Sequence, residues 1–217
     1  MAKITQKMVI PNDLLTQLRK LAPKRRLSYG ESLAVARLQA GWTRKMLGVT
    51  ETAMPLEWVA TLPQLELEVV PAHRMGEHTS GLTTRRNGRY LIQVNRNNAQ
   101  VRRRFTLAHE LKHVLDYPYA RTLHAGLGSG DADRQAQQIE RLCDQYAVHL
   151  LMPASLVKRA WVQGFQTVSL LAALFRVSEE AMRIRLTTLG LTDEEDRPVA
   201  TYFRAYVCDD ADMIVAC

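Results

Sequence analysis

Apolar residues recur at three- and four-residue spacing along most of this chain, the period of helices that bury one face. A short amphipathic helix is expected from Asn12 to Leu21, opened by Pro11-Asn12-Asp13 and closed by Pro23. A second runs from Tyr29 to Leu47, with Leu33, Ala36, Leu38 and Ala40 turned inward, until Gly48 breaks it. The period then changes. QLELEVV, residues 64–70, alternates apolar and polar as a strand does. Gly81–Thr84 and Tyr90–Val94 read as two more strands, joined by a turn at Arg86-Asn87-Gly88. Helical spacing returns over Thr106–Leu115, and residues 118–130, with Pro118 and three glycines, read as a loop. A long helix follows from Asp131 to about Leu151, stopped by Pro153. Further helices are expected over Ala154–Gln163, Val168–Phe175 and Glu179–Leu189. A three-stranded sheet laid on the Thr106–Leu115 helix gives α+β architecture. The chain divides accordingly into an N-terminal helical region (1–62), a core (63–155), a C-terminal helical region (156–192) and a tail (193–217).

With 217 residues, 47% of them hydrophobic, the chain has the composition of a globular protein. No apolar run approaches membrane-spanning length, and the first thirty residues have no signal-peptide core. Three widely spaced cysteines, Cys143, Cys208 and Cys217, imply no disulfide framework, so the expected compartment is the cytoplasm. Net charge is +7, with basic clusters at Lys24–Arg26, Arg85-Arg86 and Arg102–Arg104. No aromatic residues interleave them as a nucleic-acid stacking platform would require, and Arg102–Arg104 are expected as a solvated first helical turn.

The chemistry concentrates in RFTLAHELKHVLDY, residues 104–117. On a helix, His109 and His113 lie about 6 Å apart along the axis and roughly 40° apart around it. Their imidazoles can meet at one point, and Glu110 on the adjacent face can reach a water held there. This is the HExxH arrangement of zinc hydrolases, two neutral imidazoles and a proton-accepting carboxylate.

A catalytic zinc needs a third protein ligand and an open position. The helix DADRQAQQIERLCDQYAVHLLMP offers Asp133, Glu140, Asp144 and His149. Glu140 and Asp144 share a face at i, i+4, which suggests a division of labour. Glu140 could bind the metal while Asp144 accepts a hydrogen bond from a ligating histidine's outer nitrogen.

The blocks RRRFTLAHELKHVLDY and IERLCDQYAVHLLMP together resemble the paired motifs of the ImmA/IrrE family of zinc metallopeptidases. The flanking segments SGLTTRRNGRYLIQVN and LLAALFRVSEEAMRIRLTTLGL extend the resemblance over roughly residues 30–192. It implies a zincin-like fold whose edge strand borders a substrate cleft. His109, His113 and Glu140 would be zinc ligands and Glu110 the catalytic acid/base. The implied substrate is a helix-turn-helix transcriptional repressor, often encoded nearby. Two positions depart from the family pattern. Lys112 stands where glycine is frequent, so a bulkier and more basic cleft is expected beside the metal. Asp144 replaces a frequent asparagine and keeps its capacity to accept a hydrogen bond.

The residue that stabilises the oxyanion stays open among Tyr117, Tyr119, His124 and Tyr146, and the 118–130 loop is expected as a flexible lid. Residues 167–189 suggest a DNA-binding helix-turn-helix, with Arg183 and Arg185 on the second helix. Glu179 and Glu180 at that helix's start oppose this reading, and the turn has no glycine. A non-proteolytic module that binds DNA or a regulator, with a structural or inactive zinc site, is therefore the alternative to the enzyme.

Overall fold

In a computed structural model of the chain, residues 10–76 and 79–192 are described, together with the backbone strand Met213–Ala216. The rest of the 193–217 tail lies outside the described residues. The architecture is α+β, as expected.

Helix α1, Leu14–Lys20, buries Leu14, Leu15 and Leu18. Helix α2, Tyr29–Met46, begins at a capping box: Ser28 Oγ accepts from the Glu31 backbone N–H, and Glu31 Oε2 accepts from that of Ser28. Its buried face differs from the expected one. Leu38 is 45% exposed, whereas Ser32, Gln39, Thr43 and Arg44 are buried with Ala36 and Ala40. The small alanines set the face that packs closely, and Gln39, Thr43 and Arg44 on it find partners. Gln39 Nε2 donates to the Leu18 carbonyl, and the Thr43 and Tyr146 hydroxyls lie 3.0 Å apart.

The strands are β1 (Leu65–Val70), β2 (Gly81–Arg86) and β3 (Arg89–Asn95). β2 and β3 form an antiparallel hairpin whose turn places Asn87 and Gly88 at positive φ, 51° and 78°, as a tight two-residue connection requires. β1 pairs with β3 in parallel, Leu65 opposite Tyr90. The fourth strand, β4 (Met213–Ala216), lies antiparallel along the other side of β2. The side of β2 away from β3 thus carries a segment of the chain itself.

Helix α3, Gln100–Asp116, crosses this sheet and is covered on its far side by α5, Ala132–Leu151. It is longer than expected and buried without a break from Thr106 to Asp116. Its first turns are not a solvated basic patch: Arg104 is 7% exposed and donates to the carbonyls of Met54 and Arg176. Arg102 bonds Ser80 Oγ through two nitrogens. At the other end, Arg19 of α1 donates to the Val114 and Leu115 carbonyls left over at the helix C-terminus.

Residues 118–130 fold into short turns, including α4 (Ala120–Leu123), rather than an open lid. Leu123 and Leu127 are buried, His124 Nε2 lies 3.1 Å from Asp116 Oδ2, and Gln135 donates to the His124 carbonyl. Helices α6 (Ala154–Val162), α7 (Val168–Phe175) and α8 (Glu179–Thr188) complete the fold. One apolar core takes in residues from Leu14 through Ile92, Leu111 and Tyr146 to Leu186.

Candidate metal centre

Because α3 lies between the sheet and α5, its neighbouring side chains meet different partners. His109 and His113 face α5, and Glu110, turned by about 100°, faces β2. His109 and His113 are 5% and 4% exposed, with their Nε2 atoms 3.2 Å apart. Glu140 of α5 enters the same space, Oε2 3.2 Å from His109 Nε2 and Oε1 3.5 Å from His113 Nε2. Donor atoms on a tetrahedral zinc, with bonds of about 2.0–2.1 Å, stand roughly 3.3–3.4 Å apart. The separations among the three side chains are thus of the size such an ion would set.

On the outer side of His109, Nδ1 lies 2.9 Å from Asp144 Oδ1. An Nδ1–H donated to that carboxylate leaves the Nε2 lone pair directed at Glu140 and His113. Burial disfavours a charged ring at both histidines. At His109 the hydrogen bonds and charges of Asp144 and Glu140 outweigh it and lift the pKa to about 10. At His113 burial prevails, and the pKa falls to about 4. Two carboxylates thus favour positive charge at the His109 ring, and a divalent cation on Nε2 would supply that charge in place of a second proton.

Glu110 is wholly buried and accepts a 2.6 Å hydrogen bond from Thr83 Oγ1 of β2. Cys143, one turn after Glu140, also lies close, its sulfur within 4.8 Å of donor atoms of both histidines. Burial pushes its thiol well above the ordinary range, with Glu140 acting in the same direction. Neither Thr83 nor Cys143 was singled out by sequence reasoning. The spacing Gly81-x-Thr83 on a strand, and Cys143 at i+3 from Glu140, are the signals that place them here.

The other candidates lie elsewhere. Asp133 is exposed and lines a polar surface cleft with Tyr29, Gln137 and Arg141. His149 is half-buried, and burial, then the charges of Arg185 and Arg37, lower its pKa to about 4. Lys112 does not widen the basic character of the cleft. It is 2% exposed, and its Nζ donates to Asp116 and to Gln39 Oε1, on the side of α3 facing α2. The oxyanion candidates are engaged with other groups: Tyr146 with Thr43, His124 with Asp116, Tyr117 edge-on to Tyr90 at 5.4 Å, and Tyr119 beneath Lys24.

A profile of the family described as IrrE N-terminal-like domain (Peptidase_M78) matches residues 64–187, a span holding both helices of this centre. The chain belongs to that family. Its α+β fold is that of this metallopeptidase family, zincin-like. The "Radiation response metalloprotease IrrE" of Deinococcus deserti is 37% identical over 104 residues, covering 46% of this chain and 36% of that protein. This chain thus spans little more than a third of that curated relative's length. A "Mycobacterium tuberculosis transcriptional regulator" shares the fold with a TM-score of 0.58, covering 86% of this chain and 54% of that one. At 15% identity the likeness is one of fold.

Proposed function

We propose that the chain is a zinc-dependent endopeptidase in which His109, His113 and Glu140 hold the metal and Glu110 is the general base. The observation that carries this reading is the convergence of the two histidine Nε2 atoms, 3.2 Å apart, on the Glu140 carboxylate, whose Oε2 lies 3.2 Å from one and Oε1 3.5 Å from the other, on a helix with an intact Glu110. A site built only for structure has no use for that carboxylate and more often closes with a fourth histidine or cysteine. Zinc bound there supplies Lewis acidity and a water whose pKa falls towards about 7. Glu110 takes the water's proton as the peptide carbonyl is attacked, then returns it to the leaving amine. Asp144 keeps the His109 tautomer and ring orientation fixed throughout. Burial of both imidazoles strengthens every charge interaction around the reacting carbonyl.

The substrate in this reading is a helix-turn-helix transcriptional repressor, cut in an exposed, extended segment, and the enzyme works in the cytoplasm where that repressor is found. The resemblance to ImmA/IrrE peptidases supports the substrate class. Among the described residues no helix is long and apolar enough to cross a membrane. The surface of α8 disfavours the DNA-binding alternative. Arg185 is 4% exposed and spends its Nε–H on the Met152 carbonyl, while Glu179, Glu180, Ile184 and Thr188 face outward.

Metal analysis of the purified protein, with incubation against the repressor encoded beside it, tests the reading. One zinc per chain and cleavage at one or a few sites, lost in Glu110→Gln, are expected. A protein that leaves the repressor intact, yet shifts operator DNA with steep salt dependence after chelation, refutes it.

A further inference from the structure

The partner of Glu110 on β2 has a consequence for the reaction. We propose that β2 forms a seat for the general base: Thr83 is a positioning residue that anchors the Glu110 carboxylate, and Gly81 provides the space it occupies. This rests on the peptidase reading above.

Three observations converge. Thr83 is wholly buried, and its Oγ1 lies 2.6 Å from Glu110 Oε2, the length of a charge-assisted bond from a hydroxyl to a carboxylate. Gly81 lies two residues earlier on the same face of the strand, and a Cβ there would stand 2.6 Å from Glu110 Oε1 and overlap the Thr106 methyl group. Gly81 does not have a positive φ, so what the position requires is lack of volume and not a left-handed backbone. The strand face thus removes a side chain at one position and supplies a donor at the next.

An unanchored glutamate rotates freely about its terminal torsion and spends part of its time turned away from the water it must deprotonate. A hydroxyl fixed on a buried strand removes that freedom before substrate arrives, and general-base efficiency depends on such placement. Valine at position 83 matches threonine in shape and β-propensity but has no donor, so it separates anchoring from packing.

The test uses the zinc-loaded full chain as wild type, Thr83→Val, Thr83→Ser, Gly81→Ala, Glu110→Gln and the Thr83→Val/Glu110→Gln double variant. Two readouts are taken: crystal structures, and hydrolysis of a randomised mixture of internally quenched peptides alongside the neighbouring repressor. In wild type and Thr83→Ser the carboxylate should remain within hydrogen-bond distance of the residue-83 hydroxyl. In Thr83→Val it should occupy other rotamers, and Gly81→Ala should displace it. kcat should fall about ten- to a hundredfold in Thr83→Val, with KM and zinc content unchanged, and Thr83→Ser should recover most of it. The double variant should be no slower than Glu110→Gln alone. A Thr83→Val protein with an unmoved carboxylate and wild-type kcat overturns the seat. So does a loss of kcat that tracks loss of zinc. A wild type no more active than Glu110→Gln instead overturns the peptidase reading, and the crystal structures then decide the seat independently.

Discussion

Glu140 touches both histidines and joins α5 to the Nε2 side of the centre. Replacing it with alanine should abolish cleavage and lower zinc occupancy, as should His109→Ala or His113→Ala; full zinc retention in Glu140→Ala would assign the third ligand elsewhere. Glu110→Gln should keep its zinc and lose turnover by about 10²–10⁴-fold. Asp144 acts only through the His109 ring and is itself 38% exposed at the side chain. Asp144→Ala should therefore weaken zinc binding about 10–100-fold, and Asp144→Asn much less, because an amide oxygen still accepts. Equal losses of turnover in Glu110→Gln and Asp144→Asn would contradict this division of roles. Cys143→Ala should leave zinc stoichiometry at one, because the neutral buried thiol competes poorly with the Glu140 carboxylate. Most of this set was legible in the sequence because the ligands lie at i, i+4 on one helix and on one face of another. His149, nine residues after Glu140, points from the opposite side of α5, whereas Asp133 shares the face of Glu140 two turns earlier and is set aside by its exposure and its distance along the helix.

Several helices are tied together by arginines that the sequence presents as surface charge. Arg44 donates to the Leu150 and Glu51 carbonyls, Arg104 to those of Met54 and Arg176, and Arg185 to that of Met152. Burial lowers the pKa of all three, to about 10 at Arg44. Such pairings were not legible, because a run like Arg102–Arg104 carries no mark of a carbonyl 50 or 72 positions away. Element positions were legible: helix and strand bounds agree with the apolar period to within a few residues, except that α3 starts earlier and the 118–130 segment is packed. The inward face of α2 was misread for the same reason as the arginines. Gln39 is buried because Leu18 and Lys112 supply its partners from elsewhere in the chain. Arg104→Met keeps most of the side-chain volume and strands two carbonyls. It should cost about 1–3 kcal/mol in denaturant unfolding, with zinc binding unaffected if the change is confined to that clamp.

On the scale of the whole molecule, metal and protons both bear on stability. Zinc that binds only the folded form, at about a hundred times its Kd, adds about 2.7 kcal/mol. Chelation should then lower the thermal midpoint by about 5–10 °C, and an unchanged midpoint would argue against a metal held between α3 and α5. His149 gives a pH signature of its own in the metal-free protein. Its folded pKa, about 4, lies below the ordinary 6.5, first through burial and then through Arg185 and Arg37. Above pH 6.5 neither state is protonated there; between 6.5 and 4 the unfolded chain takes up a proton that the fold refuses, so stability declines as pH falls through that window. His149→Gln should flatten this part of the curve of thermal midpoint against pH.

The parallel pairing of β1 with β3 has a kinetic consequence. The β2–β3 hairpin closes across Asn87-Gly88 and can form in about 1–10 μs. β1 must instead bring Leu65 to Tyr90, 25 positions away, across the whole hairpin, and it gains its ladder only once β3 is in place. The hairpin with α3 should therefore form the folding nucleus, with β1 added after the barrier. Gly88→Ala, which forces a side chain onto φ 78°, should slow refolding, whereas Leu65→Ala should chiefly speed unfolding. Chevron plots giving Leu65 the higher φ-value would reverse that order of assembly.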